Sequence, residues 1–184
     1  MRIIFIRHSK TTLDKVHSNL VWNLSDEGIE LATKLAQNDT IKRIAVFFTS
    51  DQTKALHTTL LLAKESFISI RVVPELTETT SLTNGFFENY EARMHQWYTE
   101  PGHRINDGET REESLTRFSS AIKRIVSSNT DKQTIGIVSH ANVLSLYVGQ
   151  FDERGALGIH NSLKMPDYAI LDWDSKKLLK QFGE

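Results

Sequence analysis

Two histidines of this 184-residue chain each close an apolar run: Ile3-Ile4-Phe5-Ile6-Arg7-His8 and Thr134-Ile135-Gly136-Ile137-Val138-Ser139-His140. A third apolar run ends at Thr49-Ser50 and leads into a helical pattern whose first turn carries Lys54. Open α/β sheets bind ligands at the carboxyl ends of parallel strands. If these runs are such strands, Arg7, His8, Lys54 and His140 converge on one rim. Two imidazoles, a guanidinium and an ammonium beside helix amino termini make a cationic cup suited to a phosphoryl group. Zinc is the rival use of histidine, but there is no close His pair, no His-x-x-x-His and no Cys, so no metal is expected. Neither a glycine-rich Walker loop nor a dinucleotide fingerprint follows the first strand. Taken alone, Arg7-His8 reads equally well as a surface arginine and a neutral loop histidine; convergence with the distant residues decides between the two.

Those residues need strands and covering helices to hold them. Ile3 to Ile6 reads as a strand buried on both faces. Residues 43–48 and 134–140 read as two more, and 68–73 alternates like a shorter, partly exposed strand ended by Pro74. The polar stretch 9–19 is a loop that brings hydroxyls, Asp14 and Asn19 near the pocket. A helix follows Ser25, which caps it, with Asp26 and Glu27 at its positive end; Gly28, a poor helix former, is there for close packing. Further helices are predicted from 51 or 52 to about 67, over 86–98, over 109–129 and over 141–151. The aromatic stripe of the 86–98 helix reads as core, with its segment covering the pocket at one edge. A polar, Gly-containing link then leads to a terminal hairpin of 168–173 and 177–182. Strands alternating with helices give a three-layer α/β/α sandwich with a mostly parallel central sheet and a C-terminal hairpin. No repeat or linker divides it, so one domain over 1–184 is expected.

A net charge of -1, from 22 basic and 23 acidic residues, argues against nucleic acid and anionic membrane as partners. The absence of Cys removes disulfides and thiolate chemistry. With strand-like sequence at the start and no apolar stretch of spanning length, a soluble cytoplasmic protein is expected, as a monomer or homodimer.

Six short motifs, in order, resemble those of the histidine phosphatase superfamily, the phosphoglycerate-mutase-like fold. They are Arg7-His8-Ser9, Leu24-Ser25-Asp26-Glu27-Gly28, Ser50-Asp51-Gln52-Thr53-Lys54-Ala55, Pro74-Glu75-Leu76-Thr77-Glu78, Gly108-Glu109-Thr110 and Val138-Ser139-His140-Ala141. The resemblance extends over almost the whole chain. It implies that His8 attacks a phosphomonoester and is transiently phosphorylated, that Arg7 and His140 donate to the phosphoryl oxygens, and that Glu78 protonates the leaving alkoxide. The implied reaction needs no metal or diffusible cofactor. Its substrate would be a small phosphorylated metabolite or a phosphoprotein.

Several assignments have alternatives. The acid is Glu78 or, one step away, Glu75. Glu109 is a pocket residue, a helix-start residue or both, and Ser139 orients a neighbour or is a plain strand-end hydroxyl. His57, His95 and His160 match no motif; nor do His17 and His103, which are conceivable at the rim. Three positions depart from the family pattern. Ser9 stands for glycine and adds a hydroxyl near the phosphate. Asp14 stands where relatives present Asn, and would repel phosphate unless it turns away or pairs with a cation. Lys54 stands for arginine and loses the planar fork, so weaker phosphate positioning is expected. Two competing functions follow: mutase-type phosphoryl transfer, disfavoured because the segment from Glu78 to Gly108 is short, and a low-turnover phosphate-binding regulatory protein, suggested by Asp14 and Lys54.

Overall fold

A computed structural model describes residues 1–14, 16–64, 68–80, 89–105 and 107–184. Its elements, in chain order, are β1 (Arg2–Arg7), α1 (Asp26–Ala36), α2 (Asp39–Lys42), β2 (Val46–Thr49), α3 (Thr53–Ala63), β3 (Ser69–Val72), α4 (Tyr90–Thr99), α5 (Arg111–Ser127), β4 (Thr134–Ser139), α6 (Ala141–Val148), α7 (Gly155–Ser162), β5 (Asp167–Asp172) and β6 (Lys177–Lys180). Short 3-10 turns cover Asn19–Val21 and Pro74–Leu76.

The six strands form one sheet in the order β3-β2-β4-β1-β5-β6. β1 and β2 both run parallel to β4, and β3 runs parallel to β2. β5 lies antiparallel to β1, and β6 to β5, so the terminal hairpin closes one side. The register brings the site to one level. Arg7 pairs with Ser139 and Thr49 with Val138. One residue further on, the His8 amide donates to the Ser139 carbonyl at 3.0 Å and the Ser50 amide to the Val138 carbonyl at 3.2 Å. Three strands thus release His8, Ser50 and His140 along one edge.

The unbroken apolar runs of β1, β2 and β4 are explained by burial on both faces. Alternate residues part to opposite sides. Ile3, Phe5, Val46, Phe48, Ile135 and Ile137 pack against α5 and α6 through Phe118, Ile122, Leu144 and Tyr147. Ile4, Ile6, Phe47 and Val138 pack on the other face with Ala36, Ala55 and Leu62 of α1 and α3. The result is the layered α/β/α sandwich, with a mixed, mostly parallel sheet.

Local signals explain several helix starts. The Ser25 hydroxyl accepts from the Gly28 amide at 3.1 Å, and α5 begins with a capping box between Thr110 and Glu113. Alanine at Gly28 would gain about 1 kcal/mol of helix propensity. Its Cβ, however, would lie 2.1 Å from the Lys10 carbonyl oxygen, so close packing decides in favour of glycine.

The structure differs from the sequence reading in three places. β2 starts at Val46 rather than at Arg43, because Asn38 caps a separate helical turn, α2, and the Arg43 and Ile44 amides still bond back to Thr40 and Ile41. The supposed link after residue 151 contains α7, and the helix before it stops at Val148. Glycines at 155 and 158 dilute the apolar period of α7, which tertiary contacts hold instead. Ile159 is fully buried, and Arg154 joins the Asp152 carboxylate to the Phe182 carbonyl. The predicted 86–98 helix is described from Tyr90 to Thr99; its Phe86 and Phe87 lie outside the described residues, as does the predicted end of α3 at 65–67. Met94, Trp97 and Tyr98 are core, as the aromatic stripe suggested, whereas Tyr90 is 46% exposed.

Candidate active site

A cavity of about 670 Å³ opens at the carboxyl edge of the sheet, and Arg7, His8, Lys54, Glu78 and His140 all line it. β1 delivers His8. Its Nδ1 lies 2.8 Å from the Ser9 carbonyl oxygen. A carbonyl only accepts, so Nδ1 carries the proton and Nε2 the lone pair. Burial holds this imidazole far below its usual range, at about 3, reinforced by Lys54 and then Arg7 and opposed by the Ser9 hydrogen bond. His8 is therefore neutral at physiological pH.

β4 delivers His140, whose ring centroid is 5.2 Å from that of His8. Its Nε2 lies 2.7 Å from the Ser50 hydroxyl, which also accepts from the Gln52 amide at 3.1 Å. Nε2 is the acceptor within reach of the Ser50 O–H, and with the hydroxyl donating to it the His140 proton sits on Nδ1. Nδ1 is buried and has no hydrogen-bond partner among the described residues. Burial, followed by the proximity of His8 and the charges of Lys54 and Arg7, holds His140 well below its usual range and so neutral. An orphaned donor in a cationic pocket is suited to an anionic oxygen.

Arg7 is anchored by Nη1, which donates to the Leu163 and Lys164 carbonyls at 3.1 and 3.3 Å, just past the end of α7. Its Nε has no partner among the described residues. Lys54, in the first turn of α3, is 7% exposed, and its Nζ donates to the Asn19 carbonyl at 2.8 Å. Burial lowers its pKa to about 8 against the pull of Glu78.

Glu78 follows the Pro74–Leu76 turn and lies at the amino end of α6. Its Oε1 accepts from the Thr79 and Val143 amides at 2.8 and 3.2 Å, and its Oε2 from the Asn142 amide at 3.1 Å. Burial raises its pKa, outweighing those three N–H groups and Lys54. Glu75 does not line the cavity; it pairs with Arg124 at the surface.

Ser9 and Asp14 are placed apart from these groups. The Ser9 hydroxyl is fully buried and donates to the Gly28 carbonyl at 2.7 Å, so it ties the loop after β1 to α1. The Asp14 carboxylate turns to the Val16 and His17 amides and to His17 Nδ1 at 2.7 Å, and it does not line the cavity. Turning away was one of the two conditions under which a carboxylate here would not repel phosphate, and its place off the cavity lining accords with it. Ser139 donates to the Leu76 carbonyl at 2.6 Å, an orienting role for the strand end and the Glu78 loop.

Glu109 precedes α5 rather than opening it, and is bonded through both oxygens to Arg117 at 2.7 and 2.6 Å. Arg117, which sequence reading did not single out, also donates to the carbonyls of Glu75, Thr77 and Glu78. Nor did the sequence single out Asn142 or the pair Tyr98 and His160, whose hydroxyl and Nδ1 are 3.2 Å apart. Asn142 acts through its backbone amide, which no side-chain motif reveals. His17 and His103 pair with Asp14 and Glu100 and do not line the cavity. Among the described residues no group of His, Asp or Glu is placed to hold a metal ion.

One cavity on this α/β sandwich thus gathers a neutral imidazole, two cationic side chains and a carboxyl of raised pKa, a set chemically suited to phosphoryl transfer. The model of the histidine phosphatase superfamily (branch 1) matches residues 3–177, and the chain belongs to that family. It is a histidine-phosphatase-type hydrolase of phosphomonoesters. Among curated proteins it is 27% identical over 168 residues to an adenosylcobalamin/alpha-ribazole phosphatase of Escherichia coli (strain K12), covering 82% of this chain and 78% of that one. Among solved structures it resembles Bacillus stearothermophilus YhfR, with a TM-score of 0.81 at 20% identity over 100% of this chain and 96% of that one. It likewise resembles the alpha-ribazole phosphatase from Shigella flexneri, with a TM-score of 0.77 at 23% identity and the same coverage. At these identities the structural likeness speaks for the fold.

Proposed function

We propose that His8 is the nucleophile, Glu78 the proton carrier, and Arg7, Lys54 and His140 the donors to the phosphoryl oxygens. The observation that carries this reading is the His8 Nδ1 bond to the Ser9 carbonyl, which leaves the Nε2 lone pair free in a pocket where burial keeps the ring neutral. In the first step Nε2 forms the P–N bond, the ester P–O bond breaks, and the leaving alkoxide takes the proton of Glu78. Oε2 is the oxygen that holds this proton, because Oε1 already accepts two amides and Oε2 only one. In the second step a water gives a proton to Glu78 and its oxygen attacks phosphorus; the P–N bond breaks and neutral His8 returns. Arg7 Nε and His140 Nδ1, both unpartnered among the described residues, are the donors that gain an acceptor when phosphate is present.

The acceptor we propose is water, not phosphoglycerate, and the substrate a small phosphorylated metabolite rather than a phosphoprotein. The name of the Escherichia coli relative, an adenosylcobalamin/alpha-ribazole phosphatase, supports a small substrate. Asp14 is engaged by the Val16 and His17 amides and by His17 and does not line the cavity, which weakens the regulatory reading. Rapid quench with a ³²P-labelled phosphomonoester tests the mechanism. Acid-labile, alkali-stable label on His8 is expected, lost in His8→Ala together with at least about 10³-fold of kcat. Turnover with no label on His8 would refute it.

A further inference from the structure

The cavity is larger than a phosphoryl group requires, and lies within the roughly 300–1,000 Å³ of small-molecule sites. Its mouth has a definite chemistry. Of the large apolar side chains that stand exposed on the described surface, Leu13, Leu20, Val21 and Tyr90 all line this one cavity, Leu13 and Val21 at 57% and 55% exposure. Apolar groups collected at a concave mouth mark a binding surface more than scattered ones do. Trp22 joins them. Its indole N–H donates to the His17 carbonyl at 3.2 Å, which orients the ring, and Lys54 Nζ lies 5.9 Å from the ring centroid. Lys54 also binds the Asn19 carbonyl, so one side chain links the phosphate cup to the apolar segment.

The charges at the mouth point the same way. Arg7 and Lys54 are the only Arg or Lys among the described lining residues, and both are already committed to the phosphoryl end; the carboxyl groups there are Asp51 and the proton-bearing Glu78. Among the described lining residues a second anionic group on the substrate would find no further countercharge and would meet Asp51.

We propose that this site selects small phosphomonoesters whose leaving group is planar, apolar and uncharged, seated against Trp22, Leu20 and Val21. The proposal rests on the phosphohistidine reading above and adds the identity of the leaving group. Aromatic leaving groups gain from ring contact with Trp22 beyond simple burial. An anionic leaving group such as glycerate is disfavoured by desolvation without a partner.

The test compares 2-naphthylmethyl phosphate with 3-phosphoglycerate. Each is an ester of an alkyl alcohol, so intrinsic leaving-group acidity does not set the result. The ratio of kcat/KM values is expected to favour the naphthylmethyl ester by about 100-fold or more. Trp22→Ala and Leu20→Ser should each lower that ratio by about tenfold. Val21→Lys, which supplies a cation at the mouth, should lower it by raising kcat/KM for 3-phosphoglycerate. A wild-type ratio near one, or a ratio unmoved in all three variants, with label on His8 intact, would overturn the subsite and leave the phosphohistidine reading standing. Turnover with no label on His8 would overturn both. Faster turnover of a phosphoseryl peptide, also an alkyl ester, than of the naphthylmethyl ester would overturn the small-molecule assignment.

Discussion

Lys54 is the residue whose identity bears most on how this enzyme works. An arginine holds two oxygens through a planar fork and stays charged at any working pH, whereas an ammonium is a point charge that burial can neutralise. Here burial brings Lys54 to about 8, and its Nζ shares its donors with the Asn19 carbonyl. The sign follows directly. Below that value the lysine is cationic and holds phosphate; as pH rises through it, the charge is lost and phosphate binding weakens. An alkaline fall in kcat/KM near pH 8, mostly through a rising KM, is therefore expected. Lys54→Arg should move that fall upward by more than about one pH unit, since its guanidinium does not titrate in that range. Profiles of kcat/KM from about pH 6 to about pH 10 check this, and coincident alkaline limbs in the two proteins would exclude Lys54 as their origin. The acidic side differs: His8, at about 3, stays competent far below neutrality, while Glu78, held above the usual carboxylate range, keeps the proton that it must give.

At the scale of elements, the Glu78 loop is held from behind by a pair that no motif assigns to catalysis. Arg117 on α5 is clamped by both Glu109 oxygens and donates to three carbonyls of the chain around Glu78. Their side chains are 19% and 18% exposed, so the pair is largely shielded from solvent. Arg117→Met leaves Glu109 uncompensated and should cost about 2–3 kcal/mol of stability. It should also lower kcat by about 10- to 100-fold with a smaller change in KM, because the acid is displaced rather than removed. Arg117→Lys should recover part of the stability and little of kcat, since one ammonium cannot reach the carboxylate and the carbonyls together. Thermal unfolding and steady-state kinetics on both variants decide the matter; a loss of stability with kcat intact would make Arg117 a purely structural residue. This arrangement also shows what sequence could and could not reveal. Strands β1, β2 and β4 are legible because double-faced burial requires unbroken apolar runs, and their common polarity was enough to bring His8, Lys54 and His140 together. Arg117 was not legible, because it belongs to the polar side of a helix and acts on backbone carbonyls. Nor was α7, which two glycines disguise, although the carbonyls just past its end are what fix Arg7. Ser9 and Asp14 were legible as near the site but not in direction, since side-chain orientation in a loop depends on local amides.

On the scale of the whole molecule, a site built from buried imidazoles makes the fold sensitive to acid. His8, His140 and His160 are all held below their usual range by burial, His8 to about 3 and His160 to about 4. In the unfolded chain these rings protonate near pH 6.5, while in the folded protein they resist. Between those limits the unfolded state binds more protons, so stability present above about pH 6.5 is lost as pH falls. Each such ring contributes a slope of up to about 1.4 kcal/mol per pH unit in that window. Glu78 acts in the opposite sense. Its raised value contributes stability that is present at low pH and lost as pH rises through it. One carboxyl opposes three imidazoles, so the histidines dominate. Carboxylates held low, such as Glu109 and Asp152, begin to add to the loss only in the more acidic part of the range. Urea unfolding at about pH 6.5 and about pH 5 should therefore show a clear drop in unfolding free energy with little change in m. His140→Gln should flatten that drop by about one proton's worth of slope, even where it lowers stability at neutral pH. An unchanged pH dependence in His140→Gln would mean that His140 titrates alike in the folded and unfolded states, and a steeper drop that it is already protonated in the fold. In that case the pocket would be more cationic than burial permits, and the Ser50 hydroxyl would accept from His140 Nε2 instead of donating to it.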